Sequence, residues 1–294
     1  MLRNGGTDAD SQCSKMDRSG SRDTGWRRYR RIYIKRYYIY RSKIRTDQRS
    51  KTVCYSSGEN DSKDAEDENE DTEEAADAET EDAAEDEAAS SISDFAFTGQ
   101  MPELPTGCEI TSLTMTLNYY GYSADKMAMA LEYLPTVGWT NTYYGDNETL
   151  YGNDIYNYFI GNPQSETDGL SCGAGAIVTA ADGYLADNGN AMKAEDETGS
   201  EPEQLYRFVS EGTPVVVWGT IGMEERQIME SWNTEDGREA SWAMNDHCVV
   251  LIGYSADSVT VADPIEGIVS YDRAQFESAF RSRGNQCVIL KNVQ

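Results

Sequence analysis

Residues 245–254 read NDHCVVLIGY, a polar turn that runs directly into an apolar, β-branched stretch. Such a stretch, bounded by turn residues, is typical of a buried β-strand. A short polar connection at 255–258 leads to a second branched segment, 259–262, which ends at Asp263. The two segments are predicted to pair antiparallel, which brings the start of the first beside the end of the second. His247 and Asp263 are therefore expected at the same end of a hairpin.

The chain has one histidine among its 294 residues, His247. Imidazole chemistry is therefore restricted to this strand start. A candidate nucleophile lies upstream, where residues 106–109, TGCE, fit a capping box in which Thr106 caps a helix and Glu109 reaches back. Apolar residues then follow at helical spacing until Gly121, the predicted end. Cys108 falls in the first turn, where the helix dipole is expected to lower the pKa of its thiol.

Cys108, His247 and Asp263 supply the three groups that an acyl-transfer site needs. These are a thiol nucleophile, a base, and a carboxylate that fixes the tautomer of the base. Each residue also has a simpler interpretation. A cysteine is often a buried packing residue, a histidine at a strand edge is often only hydrogen-bonded, and Asp263 before Pro264 fits a turn residue. The order of the three residues and their positions at matching element boundaries nevertheless make catalysis as well supported as the simpler interpretations.

The remaining patterns predict an α+β domain with the Cys108 helix packed on an antiparallel sheet. Residues 135–170 are predicted to be long loops. Further helices are predicted after Ser123, over 173–188, after a capping box at 200–203, and after Asp272. Further strands are predicted over 214–218 and 287–290.

Charge divides the chain into three parts. Residues 1–54 hold 15 Lys and Arg against 5 Asp and Glu, whereas residues 59–90 hold 17 acidic residues and one Lys. The second stretch has too few apolar side chains to fold alone and is predicted to be a solvated linker. The predicted boundaries are a basic, disordered or misassigned segment at 1–56, an acidic linker at 57–94, and one domain at 95–294.

Composition also bears on partners and location. The acidic domain would repel a phosphate backbone, so nucleic acid is not an expected partner. The chain shows no apolar run of membrane-spanning length and no signal-peptide core. An acidic stalk before an acidic domain is nevertheless typical of a secreted or surface protein, so we expect an extracellular or cell-surface location. On this hypothesis, a missing N-terminal segment would supply the signal or the membrane or wall anchor.

Six cysteines form no CxxC pair and no cluster with histidine, so we expect neither a metal nor a cofactor.

Several motifs resemble one known family in their order along the chain. They lie at 104–113, 118–122, 159–163, 214–218, 245–254 and 262–264. Together they resemble the bacterial cysteine-peptidase-like domains related to bacteriocin-processing peptidases, within the papain-like superfamily. The resemblance implies the papain-like cysteine peptidase fold and the triad Cys108, His247 and Asp263. It also implies an oxyanion-stabilising glutamine shortly before the cysteine, for which Gln100 is the candidate.

The predicted function is a thiol-dependent peptidase or amide hydrolase, acting as a monomer on a peptide or a cell-wall amide. Two alternatives stay open. One is a transamidase with the same triad, in which an amine replaces water as the acceptor. The other is a surface-displayed binding module that keeps the fold without turnover.

Overall fold

The computed structural model describes residues 89–138, 143–145, 149–189 and 191–293. The predicted basic segment at 1–56 and nearly all of the predicted linker at 57–94 lie outside these residues. The helices are α1 (Cys108–Tyr119), α2 (Lys126–Ala128, continued by a π-helical turn at Met129–Tyr133), α3 (Ala174–Asp187), α4 (Pro202–Ser210) and α5 (Arg273–Ser282). No described helix has the length and apolar character that crossing a membrane would require.

The strands of the main sheet are β1 (Ser90–Ser91), β6 (Met192–Asp196), β7 (Val215–Thr220), β10 (Asp246–Tyr254), β11 (Ser258–Asp263), β12 (Gly267–Asp272) and β13 (Cys287–Asn292). Their order is β12-β11-β10-β7-β13-β6, with β1 paired to β10, and every pairing is antiparallel. Strand β10 is buried from its second residue onward because it has neighbours on both edges and helices on both faces. The predicted helix on an antiparallel sheet is confirmed.

The remaining strands are short. They are β2 (Thr136–Val137), β3 (Tyr143–Tyr144), β4 (Leu150–Tyr151), β5 (Phe159–Ile160), β8 (Ile228–Asn233) and β9 (Glu239–Ala243). Strands β2 and β5 form a parallel pair, and β3-β4-β8-β9 form a second sheet. The region 135–170, predicted as loops, thus contains four two-residue strands. Strands β6, β8, β9 and β12 were not predicted, because their charged and polar residues interrupt the apolar pattern.

Helix α1 is a helix because it is buried, not because of intrinsic propensity. Its sequence, CEITSLTMTLNY, is rich in β-branched residues, and positions 108–117 are all buried. The threonine hydroxyls donate to carbonyls four residues earlier: Thr111 to Gly107, Thr114 to Ile110, and Thr116 to Ser112. These bonds satisfy hydroxyl groups that have no access to water. The helix can therefore lie against β10 and β7.

Three predicted helix caps are wrong. The cap of α1 is Gly107 with no side-chain bond, and Thr106 instead donates to the carbonyl of Pro163 at 3.2 Å. Asp125, not Ser123, caps α2. Helix α4 begins with Pro202, whose fixed φ suits the first helical position and replaces the predicted capping box. The cap of α5 by Asp272 is confirmed, since its side chain accepts from the backbone N–H of Gln275 at 2.9 Å.

Candidate active site

His247 and Asp263 meet at one end of the β10–β11 hairpin, as the antiparallel register predicts. His247 Nε2 lies 2.9 Å from Asp263 Oδ1, and both side chains are almost fully buried. The carboxylate accepts the Nε2 proton, which leaves Nδ1 as the nitrogen that can take up another. The pair is therefore arranged as a base with a fixed tautomer.

The environment of Asp263 keeps it ionised. Burial is the largest single effect and raises the pKa of this carboxyl, whereas the charge and the hydrogen bond of His247 lower it. The backbone N–H groups of Ile265 and Glu266 also donate to Oδ1, at 2.8 and 3.2 Å. The net result is a pKa below the usual range of an aspartate. The turn after the strand thus holds the carboxylate in place for the imidazole.

Cys108 is the first residue of α1 and is nearly buried. The helix lies against the strand that carries His247, since Ser112 Oγ donates to the carbonyl of Cys248 at 3.2 Å. The backbone of Cys248, the residue after His247, also forms a hydrogen bond with the thiol, and this bond lowers the pKa of the thiol. The start of α1 therefore lies against β10, the strand that carries His247.

The Cys108 thiol has Glu109, and not His247, as its hydrogen-bond acceptor. Its Sγ donates to Glu109 Oε2 at 3.3 Å, and within the residues described no hydrogen bond joins Sγ to His247. Burial, followed by the negative charge of Glu109, raises the pKa of the thiol well above its usual value. The expectation of a lowered pKa is wrong for this arrangement. Desolvation disfavours the thiolate more than the helix N-terminus can offset.

Glu109 is the residue of this site that the sequence patterns missed. It was predicted to reach back to Thr106, but Oε1 accepts from the backbone N–H of Cys172 at 3.1 Å. Burial raises the pKa of the Glu109 carboxyl. A signal was present in the sequence, because Glu109 is the single charged residue of α1. A helix that is otherwise uncharged is buried all round, so a charge within it needs an internal partner.

Gln100 lies near the site, and the N–H groups of its side chain and its backbone already donate hydrogen bonds to backbone carbonyls. Its backbone N–H donates to the carbonyl of Pro264, the residue after Asp263, at 2.9 Å. Its side-chain Nε2 donates to the carbonyls of Leu104 at 3.1 Å and Pro105 at 3.0 Å. The side chain is buried rather than a solvent-exposed loop glutamine, and its Oε1 has no hydrogen-bond partner. Gln100 thus connects the Asp263 turn to the segment before Cys108.

The other cysteines of the described chain are buried structural residues. Cys248 is fully buried in the core beside α1, and the backbone carbonyl of Cys172 accepts from Trp218 Nε1 at 2.7 Å. Across the described ranges, no three His, Cys, Asp or Glu side chains converge as metal ligands. The chemistry available at this place is therefore that of a thiol, an imidazole and two carboxyl groups.

Comparisons with known proteins identify the family of this chain. The model of the Peptidase_C39 like family matches residues 92–288. The uncharacterised protein YvpB of Bacillus subtilis is 31% identical over 192 residues, which cover 65% of this chain and 71% of YvpB. A crystal structure from Bacillus anthracis, assigned provisionally as a C39-like peptidase, is 33% identical with a TM-score of 0.61. The match covers 70% of this chain and 98% of that one.

A double glycine motif protease from an AMS/PCAT transporter, solved with its leader peptide, is 18% identical with a TM-score of 0.37. That match covers 69% of this chain and 99% of the protease. This similarity is too low to support an argument about the substrate of this chain.

Proposed function

The chain belongs to the Peptidase_C39 like family and has its papain-like, α+β fold, and from that premise we propose that it is a thiol-dependent peptidase. The observation that carries the proposal is the buried pair of His247 Nε2 and Asp263 Oδ1 at 2.9 Å, beside the helix that begins with Cys108. An imidazole with a fixed tautomer and a thiol at a helix N-terminus are the parts of an acyl-transfer site.

In the proposed reaction, Cys108 Sγ attacks the carbonyl carbon of an amide while His247 Nδ1 accepts the thiol proton. The imidazolium returns that proton to the leaving amine as the C–N bond breaks, which leaves a thioester on Cys108. Water then attacks the thioester, His247 again acts as the base, and the carboxylic acid leaves. Asp263 holds the imidazole throughout and stabilises its charged form.

The proposal requires the thiol to change its partner. Sγ must leave Glu109 Oε2 and approach Nδ1 of His247 before the imidazole can accept its proton. The backbone N–H groups of the first turn have no intrahelical acceptor and can then stabilise the oxyanion. The proposed oxyanion role of Gln100 has a similar requirement, because one N–H must leave the carbonyl of Leu104 or Pro105.

The proposed substrate is a peptide or a cell-wall amide, and the proposed place of action is the cell surface. The acidic composition of residues 59–90 supports the location, since it resembles a solvated stalk. With an amine as acceptor in place of water, the same thioester would give transamidation. Addition of hydroxylamine would distinguish the two, because a transamidase forms the hydroxamate in preference to the acid.

The experiment is digestion of a diverse peptide library, with the products identified by mass spectrometry. We expect cleavage by the wild type and by Cys287→Ser, which removes a buried thiol on another strand. We expect none with Cys108→Ala, and a loss of at least about a hundredfold with His247→Ala. Cleavage that survives Cys108→Ala would overturn the proposal.

A second candidate function is a binding module without turnover. One observation favours it, namely the raised pKa of a Cys108 thiol bonded to Glu109 instead of His247. The pH dependence of alkylation by iodoacetamide separates the two. A Cys108 that reacts below about pH 7, and loses that reactivity in His247→Ala, forms a thiolate–imidazolium pair. A Cys108 that reacts no faster than Cys172 or Cys248 favours the binding module.

A further inference from the structure

A cavity of about 490 Å³ lies outside the proposed catalytic centre. Its walls come from the end of α5, strand β9, residues 154–156 and Gly173, and none of the three proposed catalytic residues lines it. Its volume falls within the range of small-molecule sites, which is roughly 300–1,000 Å³. Three arginines line it: Arg226, Arg238 and Arg283.

Two of these arginines share one buried carboxylate. Asp246 binds Arg226 bidentately, with Oδ1 2.8 Å from Nε and Oδ2 3.1 Å from Nη2. Asp246 Oδ2 also lies 3.0 Å from Arg283 Nη1. The side chain of Asp246 is 1% exposed. Two guanidinium groups therefore share one carboxylate, in a place where water screens their charges little.

Arg283 is the member of this group that lacks a hydrogen-bond acceptor for one of its N–H groups. The residue is 6% exposed, and its Nε–H has no hydrogen-bond partner. Among the described residues, its side chain has Asp246 as its one ion-pair partner. Burial lowers the pKa of its guanidinium, whereas the negative charges of Asp246 and Glu109 raise it. A buried donor without an acceptor costs free energy unless a ligand completes it.

We propose that this cavity is a binding site for a carboxylate-bearing ligand, whose carboxylate is held by the guanidinium of Arg283 beside the Arg226–Asp246 pair. A carboxylate accepts two parallel N–H bonds from one guanidinium, and Arg283 is the guanidinium here that lacks acceptors. Asp246 and Ser241 already accept four hydrogen bonds from Arg226, which has five N–H donors. Arg283 is therefore the residue that sets the specificity of the site.

The charges around the cavity favour a carboxylate over a phosphate. Asp154 and Glu239 line the same cavity. Asp154 is engaged by Arg238 at 2.6 Å, so Arg238 adds no uncompensated charge. A phosphate dianion brings more negative charge than a carboxylate and would be repelled more strongly by these two acids. A carboxylate is therefore the better accepted of the two anions.

The site adjoins the proposed base without sharing its residues. Asp246 directly precedes His247 at the start of β10, and Gly173 follows Cys172, whose N–H bonds Glu109. Binding in the cavity does not require the proposed hydrolysis, because the ligand contacts neither Cys108 nor His247. A failure of one proposal can therefore be told from a failure of the other.

The test is isothermal titration calorimetry on the full chain with small probes at 150 mM salt. N-acetylglycine presents a terminal carboxylate, N-acetylaspartate α-amide presents a side-chain carboxylate, and N-acetylglycinamide is the neutral control. We expect at least one acid to bind at least about tenfold more tightly than the neutral amide and than inorganic phosphate. The tighter acid shows whether the carboxylate comes from a chain terminus or a side chain.

Arg283→Lys keeps the charge beside Asp246 but removes the planar fork, and we expect it to lose about tenfold in affinity for the acid. Arg281→Lys, an exposed change two residues away on α5, is the matched control and should bind as the wild type does. Thermal melting of both variants establishes that they are folded. Equal binding of acid and amide, phosphate binding as tight as the acid, or full affinity in Arg283→Lys would each overturn the proposal.

Discussion

The carboxyl Oε2 of Glu109 lies 3.3 Å from Cys108 Sγ, so the acid that follows the cysteine is the hydrogen-bond partner of its thiol. The other oxygen of Glu109 is bonded to the N–H of Cys172. This geometry fixes the thiol in its protonated form, since the charge of Glu109 and burial both disfavour the thiolate. Any chemistry at Cys108 begins by breaking this contact.

Replacement of Glu109 by Gln should make Cys108 more reactive. The amide keeps an acceptor for Cys172 N–H but removes the negative charge that raises the pKa of the thiol. We expect alkylation of Cys108 by iodoacetamide at pH 7 to be about tenfold faster, which corresponds to about one pKa unit. Peptide mass spectrometry would measure it, with the exposed Glu211→Gln as control. An unchanged rate would mean that burial alone sets the thiol pKa.

Replacement of Asp263 by Asn should change how stability depends on pH. The pKa of Asp263 is lowered in the folded state, so its contribution is present above the ordinary aspartate pKa of about 3.9 and is lost as pH falls through the lower folded value. We expect the variant to be about 1–3 kcal/mol less stable at pH 6, with a smaller difference at pH 3. Urea denaturation at both pH values, with exposed Asp257→Asn as control, tests this. A pH-independent difference would contradict it.

Replacement of Trp218 by Phe should destabilise the domain. The fully buried indole donates to the carbonyl of Cys172 at 2.7 Å, and Phe leaves that acceptor without a partner. We expect a loss of about 1–3 kcal/mol in the free energy of unfolding. Trp232→Phe is the comparison, because its bond to the carbonyl of Asn153 is only partly buried and should cost less. An equal loss of stability in both variants would show that the buried bond to Cys172 contributes no more to stability than the partly buried bond to Asn153.

Replacement of Gly161 by Ala should be severe. An added Cβ would lie 2.0 Å from the carbonyl oxygen of Asp168, and the backbone has φ +93°. Gly189→Ala has a similar positive φ but open space around the new Cβ, so it should cost only about 1–2 kcal/mol of strain. Chemical denaturation should therefore show Gly161→Ala as clearly the more destabilised. Similar values would mean that the backbone of Asp168 moves away easily from the added methyl group.

The strand start at His247 and the strand end at Asp263 could be predicted, since register in an antiparallel hairpin follows from a short connection and two apolar runs. The α1 helix could be predicted from its apolar spacing, although its cap could not. The role predicted for Glu109 in the TGCE segment, a capping bond back to Thr106, was wrong. A capping box is a local pattern, whereas the N–H of Cys172 reaches Glu109 from 63 positions away in sequence.

The sequence by itself determined an α+β domain, the order of Cys108, His247 and Asp263, and the end of the hairpin at which the last two meet. These features depend on periodicity and on contacts between neighbouring elements, which residue order encodes directly. The tertiary structure alone decided that the thiol faces Glu109, that both N–H bonds of the Gln100 amide are used, and that Arg283 shares Asp246. Those outcomes depend on which polar groups lose water together, and that is settled when distant segments pack.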